Sequence, residues 1–128
     1  MKASVIQALE SAKNAKAFAA SGPLLKINDS VINIRTATQK SGSKYWFDVT
    51  PSFYTKAQFF LFACGNATTV YVFPSIVLQQ QLRNASLGGE KQVPNFTIFS
   101  DKHELEPAGA GDARSSIRQY LNAYFLIP

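Results

Sequence analysis

The residues best suited to chemistry form one basic and aromatic stretch in the N-terminal half of the chain. Lys26, Arg35, Lys40, Lys44, Tyr45 and Trp46 lie within 21 residues of one another. Lysine and arginine neutralise phosphates, and aromatic rings stack on unpaired bases. The stretch predicts a nucleic-acid-binding protein, most simply a DNA-binding one, with contacts from Lys26, Arg35, Lys40, Lys44 and Tyr45. The alternative interpretation places the two aromatic residues in the core and the lysines on an ordinary exposed loop.

The distribution of charge favours the same half of the chain. The protein has 13 basic and 8 acidic residues, which gives a formal net charge of +5. Residues 1–64 hold eight of the basic residues and three of the acids, so the whole excess lies there. Such asymmetry is typical of a polyanion-binding face, although a modestly basic solvated surface explains it equally well.

Three acids in this half are candidates for metal-dependent hydrolysis: Glu10, Asp29 and Asp48. Asp29 is explained by the turn preference of residues 28–30. Asp48 lies in a predicted strand, where aspartate is disfavoured, so it is the acid of most interest. An endonuclease using these acids is the alternative function, and Mg²⁺ is expected as a cofactor only in that case.

Other chemistry finds little support in the residue types. The chain has one cysteine and one histidine, Cys64 and His103, which cannot make a typical zinc site. We expect Cys64 to be a buried small hydrophobic residue, since it follows an apolar run. The acids near His103, which are Asp101, Glu104 and Glu106, are interpreted as a solvated loop.

The elements that must position these residues follow from periodicity and from turn residues. Residues 3–20 predict an amphipathic helix that ends at Ser21-Gly22-Pro23. Residues 24–27 and 31–37 predict a hairpin, and residues 45–49 a third strand. Alternation along residues 31–37 puts Asn33 and Arg35 on one face and the isoleucines on the other.

The rest of the chain predicts shorter elements. A short helix begins near Thr50-Pro51, residues 59–63 form a strand covered on both faces, and residues 69–73 form another strand. A helix over residues 75–84, a loop over 85–94, a strand over 95–99 and a polar connector over 101–111 follow. Asp112 caps a C-terminal helix that extends to about Leu126. Residues 1–128 therefore predict a single mixed α+β domain, with a helix, a mainly antiparallel three-strand meander, further strands and a C-terminal helix.

This order resembles the core of the PD-(D/E)XK nuclease-like superfamily. Residues 31–37, Val-Ile-Asn-Ile-Arg-Thr-Ala, are similar to the second core strand, where an acid, any residue and a lysine occur in succession. Gly22-Pro23-Leu24 lies where the family's Pro-Asp begins the preceding strand. The resemblance covers about residues 3–83 and implies a restriction-endonuclease-like fold.

The departures from that motif bear on activity. The two metal-binding acids would align with Leu24 and Asn33, and only Arg35 keeps the basic character of the lysine position. An amide is a poorer Mg²⁺ ligand than a carboxylate, and arginine is a poor proton-transfer group. The resemblance therefore implies a nuclease-like scaffold that binds DNA without cleaving it.

The third functional hypothesis is an interaction protein. Tyr120, Tyr124, Phe125, Leu126 and Ile127 predict an apolar C-terminal helix that a homodimer would cover. No stretch has the roughly 18 apolar residues of a membrane span, and the N-terminus lacks the apolar run of a secretory signal. We therefore expect a cytoplasmic protein with no membrane partner.

Overall fold

Two β-sheets packed face to face form the centre of the molecule. The structure is a computed structural model, and it describes residues 1–38, 41–109, 111 and 113–128. The first sheet contains β1 (Ala17–Ala19), β2 (Leu24–Ile27), β3 (Ser30–Ala37), β5 (Phe59–Cys64) and β6 (Val70–Pro74). The second contains β4 (Lys44–Asp48), β7 (Leu87–Gly88), β8 (Val93–Phe99), β9 (Glu104–Pro107) and β10 (Ser115–Ser116). The helices of the described residues are α1 (Lys2–Lys13), α2 (Phe53–Lys56) and α3 (Ser75–Gln81), followed by two 3₁₀ turns, Arg118–Tyr120 and Tyr124–Leu126. The predicted mixed α+β class is confirmed.

The first sheet has the strand order β1-β2-β3-β5-β6. Its pairs are antiparallel except for β3 and β5, which run parallel. The predicted hairpin of β2 and β3 is confirmed. The predicted third strand exists as β4, but it leaves the expected meander and pairs with β8 in the second sheet.

The strand β5 is buried along its whole length, as its apolar run predicts. Phe60 and Phe62 face the second sheet, where they join one hydrophobic cluster. Leu61 and Ala63 face the opposite side, where α1 and the C-terminal residues cover them. The fold therefore has three layers, with the first sheet in the middle.

The N-terminal helix is shorter than the predicted helix over residues 3–20. Asn14 adopts a left-handed conformation with φ of 49° and ends α1. The carboxylate of Glu10 then accepts a hydrogen bond from the backbone N–H of Ala17 at 2.9 Å, at the start of β1. Asparagine adopts the left-handed conformation more readily than most residues, so the helix can end here without a glycine. Because the surrounding sequence is rich in alanine and has no glycine or proline at this point, the turn was not predicted.

The predicted C-terminal helix is wrong. The segment forms the short strand β10 and the two 3₁₀ turns, and it runs along the edge of β6. The side chain of Asn122 accepts from the backbone N–H of Val70 at 3.1 Å and donates to the carbonyl of Thr68 at 2.7 Å. These hydrogen bonds cover the edge of β6. The C-terminal segment therefore pairs with this strand edge instead of forming the helix that its apolar spacing predicted. The predicted cap, Asp112, lies outside the described residues.

Two stretches predicted as loops contain strands of the second sheet. The strand β7 lies within residues 85–94, and β9 lies within the polar connector. In β9, Leu105 is buried while Glu104 and Glu106 lie on the other face. A strand with one solvated face carries many polar residues, and this short one shows too little alternation to be recognised. None of the helices in the described residues is long and apolar enough to cross a membrane.

Candidate functional site

Arg35 connects the two sheets through Asp48. Its Nη2 lies 2.8 Å from Oδ1 of Asp48, and its Nη1 donates to the backbone carbonyl of the same residue at 3.1 Å. Both side chains are about one-third exposed, at 35% and 30%. The Arg35 side chain is therefore engaged by an acid, and its predicted role in binding nucleic acid stays a prediction.

The structure does not bring the three candidate acids together. Asp29 lies in the turn before β3, at the far end of that strand from Arg35. Glu10 lies on α1, where its carboxylate is used by the backbone of Ala17. Within the described ranges, no group of three or more histidine, cysteine or acidic residues is placed to hold a metal ion.

Asn33, the position aligned with the second metal-binding acid, lies in an apolar environment. It is buried, and its cross-strand neighbours are Leu24 and Phe60. Its amide nitrogen has no hydrogen-bond partner among the described residues. Among the residues that the structure describes, no carboxylate accepts a hydrogen bond from this amide and no cluster of three possible ligands is present, so they do not fit a Mg²⁺ site.

The predicted binding residues are spread over both sheets. Lys26 lies on β2 opposite the exposed Phe18, near the outer edge of the first sheet. Tyr45 is half-buried and packs against Gly65, where a β-carbon would meet the tyrosine hydroxyl at 2.7 Å. Tyr45 therefore packs against the hydrophobic cluster between the sheets, and its predicted contact with nucleic acid stays a prediction. Lys40 lies outside the described residues.

Trp46 lies on the solvent side of the second sheet, not in the core. We define the outer face as Lys44, Trp46, Thr97 and Phe99, which point away from the first sheet. The Trp46 side chain is 41% exposed, and its Nε1 donates to Oδ1 of Asn95 at 3.3 Å. The bond to Asn95 holds the indole ring against the sheet with part of its surface open to solvent.

A surface pocket of about 340 Å³ adjoins the outer face, and we call it the basic pocket. It is lined by Ser41, Gly42, Ser43, Lys44, Phe99, Asp101, Lys102 and Arg114. The Arg114 guanidinium lies 3.8 Å and the Lys44 Nζ 5.7 Å from the centroid of the Phe99 ring. Sequence reasoning missed Phe99, Lys102 and Arg114, because only the sheet pairing brings these separate segments to one place.

Two acids beside the basic pocket, Glu104 and Glu106, form ion pairs with Arg114. Its Nη1 lies 3.7 Å from Glu104 Oε1, and its Nε lies 3.6 Å from Glu106 Oε1. His103, from the same segment, makes a 2.8 Å hydrogen bond through Nδ1 with the hydroxyl of Tyr71. Burial raises the pKa of Tyr71, so the phenol keeps its proton. The histidine therefore supports the core near the turn into β9.

Cys64 is buried, as predicted, and burial raises the pKa of its thiol to about 12 from an ordinary value near 9.0. Between these values the unfolded chain loses the thiol proton while the folded chain keeps it. The folded state then binds more protons, so stability falls as pH rises through this window, by at most about 1.4 kcal/mol per pH unit.

We expect urea unfolding at pH 7, 9, 10 and 11 to show this loss in the natural protein. The Cys64→Ala variant should lose less stability over the same range, because only the tyrosines then contribute. Equal pH dependence in both proteins would contradict the assignment.

The apolar C-terminal residues are mostly covered within the chain. Ile127 is buried, Tyr124 and Leu126 pack against α1 and the first sheet, and Phe125 is 77% exposed. One exposed ring is ordinary for a protein surface. A homodimer through this segment stays a prediction.

No family model, curated protein or solved structure matches the chain. The resemblance to the PD-(D/E)XK nuclease-like superfamily therefore depends only on the element order and the short motif that the sequence predicts.

Proposed function

We propose that this protein binds single-stranded nucleic acid, most simply DNA, through the outer face of its second sheet, and that it does not cleave it. The observation that carries the proposal is the exposed Trp46 indole on a sheet face beside a basic pocket. Unpaired bases stack on aromatic rings of this kind, and each stack is worth roughly 1–3 kcal/mol. We also propose a cytoplasmic location, because the chain's only cysteine is a buried free thiol and a reducing compartment keeps such thiols unoxidised.

The position of Trp46 favours stacking over packing. Burying a large aromatic ring is favourable, yet the ring lies on the solvated face of β4 while its neighbours Tyr45 and Phe47 point inward. The hydrogen bond to Asn95 fixes the ring, so little conformational entropy is lost when a base stacks on it.

Phosphate contacts are supplied from one end of the outer face. Lys44 is two residues from Trp46 on the same strand face, and Lys102 and Arg114 line the adjoining pocket. Asp101 lines the same pocket, and Glu104 and Glu106 contact Arg114, so the local positive charge is limited. We therefore expect modest affinity in which base stacking contributes a large share.

The absence of cleavage is supported by the positions that the nuclease motif would use. Leu24 and Asn33 lie where its acids would be, and both are buried among apolar neighbours. The Asp48 carboxylate is paired with Arg35 and, in the described part of the chain, is not placed beside a second acid with which it could share a metal ion. An endonuclease with a displaced acid predicts Mg²⁺-dependent nicking that is lost in Asp48→Ala.

Fluorescence anisotropy with a labelled oligothymidine of about 15 nucleotides tests the proposal. Three phosphate contacts predict that the logarithm of the binding constant falls by about 2 for each tenfold rise in salt. The Lys44→Ala variant should reduce this slope by about 0.7. Lys2→Ala, an exposed lysine on α1, is the matched control and should leave it unchanged. No binding at low salt, or cleavage in Mg²⁺, would overturn the proposal.

A further inference from the structure

We infer that the basic pocket binds a phosphate monoester. The inference concerns the pocket itself, and it rests on the proposed function only where the end of a nucleic-acid strand is the source of the monoester. A free phosphorylated small molecule is the other source, and the experiment below separates the two. The pocket is lined by three cationic side chains from different segments, and two of them, Lys44 and Arg114, lie over the Phe99 ring.

The excess of positive side chains in the lining favours an anionic ligand. Lys44, Lys102 and Arg114 contribute three positive charges and Asp101 contributes one negative charge. These four side chains sum to a formal charge of about +2, close in size to the roughly −1.5 to −2 of a phosphate monoester, and the pairing of Glu104 and Glu106 with Arg114 reduces this excess. A phosphodiester inside a strand carries a single charge, so it gains less from the three cations than a monoester does.

The two cations over Phe99 give a second reason for an anion at this point. Lys44 and Arg114 both approach the Phe99 ring and both line the pocket, so two positive charges are brought to one place. An anion bound in the pocket would interact favourably with each of them. The ring shields one side of the cations from water, which strengthens their interaction with a charged ligand.

Arg114 keeps hydrogen-bond donors for such a ligand. Its contacts with Glu104 and Glu106, at 3.7 and 3.6 Å, are longer than the 2.7–2.9 Å of charge-assisted hydrogen bonds. A guanidinium has five N–H donors in a planar fork, so two loose ion pairs leave donors for phosphate oxygens. Ser41 and Ser43 add hydroxyl groups to the same lining.

The pocket and Trp46 are close enough to serve one strand. Lys44 and Trp46 are separated by two residues along β4, which is about 7 Å in an extended strand. A strand whose terminal phosphate lies in the pocket therefore brings its first base to the indole ring. This arrangement predicts recognition of phosphorylated strand ends in preference to internal segments.

The first experiment measures phosphate binding without nucleic acid. Inorganic phosphate and thymidine monophosphate are each titrated into the full chain by NMR, with the backbone amides of residues 41–44 and 99–102 as reporters. Saturable shifts at these amides, weakened at least about 10-fold in Lys102→Ala and kept in Lys2→Ala, are expected. Absence of saturable shifts, or equal binding by Lys102→Ala, overturns the inference, whatever the result with oligonucleotides.

The second experiment identifies the source of the monoester. Oligothymidines with a 5′-phosphate, a 3′-phosphate or neither are compared by anisotropy using an internal label. Binding about 10-fold tighter to one phosphorylated end, with the difference lost in Lys102→Ala, supports a strand end. If phosphate and the monophosphate bind but no oligonucleotide does, the pocket is supported with a free small molecule as its ligand. That outcome overturns the proposed function alone.

Discussion

Replacing Phe62 with alanine should lower the free energy of unfolding by about 3–5 kcal/mol. The ring is fully buried between the sheets, with centroids 4.9 Å from Phe47, 5.1 Å from Phe96 and 5.9 Å from Phe73. Alanine removes this contact and leaves a cavity that packed strands on both sides cannot close. Because Phe47 and Phe96 belong to the second sheet, we also expect the variant to loosen the sheet that carries Trp46.

Urea unfolding followed by circular dichroism measures this effect. Ile76→Ala is the control, because Ile76 is 62% exposed on α3, and its change should stay within about 0.5 kcal/mol. A Phe62→Ala variant that unfolds within 1 kcal/mol of the natural protein would show that the aromatic cluster does not hold the sheets together.

Replacing Trp46 with alanine should weaken binding to single-stranded DNA by about 5- to 150-fold, which corresponds to the loss of one base stack of roughly 1–3 kcal/mol. Stability should change little, because the ring lies on the solvated face. Trp46→Phe keeps a smaller stacking surface and should retain part of the affinity.

Phe125→Ala is the matched control for loss of an exposed aromatic ring. Phe125 is more exposed than Trp46, and it lies in the last 3₁₀ turn, beside α1 and away from the second sheet. Anisotropy titrations of these variants at low salt give the comparison. Equal affinities for Trp46→Ala and the natural protein would remove Trp46 from the binding surface.

Four strands of the first sheet were predictable from the sequence because they have strong local signals, whereas β1 lies in residues that were predicted as helix. The β-branched alternation of β3 and the apolar run of β5 each identify a strand and the faces that it buries. The turn between β2 and β3 has the residues that such a turn requires. The predicted faces of Asn33 and Ile34 were also correct.

The second sheet could not be predicted to the same degree. The pairing of β4 with β8 joins segments that are about 50 residues apart, and no local pattern specifies such a partner. The C-terminal segment has helical apolar spacing but is fixed by the edge of β6 through Asn122. Tertiary contacts therefore decided these elements against local preference.

The candidate site depended on that unpredicted pairing. Lys44 was identified from its neighbours in sequence, whereas Phe99, Lys102 and Arg114 joined it only through the second sheet. Arg35 was the most motif-like residue, yet it bridges the sheets through Asp48. Chemistry-bearing residue types were visible in the sequence, but their spatial grouping was not.

Trp46 provides the most direct measurement of the proposed function, because it is the only tryptophan in the chain. Unlabelled oligothymidine is titrated at low salt while the intrinsic fluorescence is excited selectively at the indole. The proposed stacking of a base on Trp46 predicts saturable quenching, with the same dissociation constant as anisotropy gives. Binding by anisotropy without any change in tryptophan emission, or no binding at all, would contradict it.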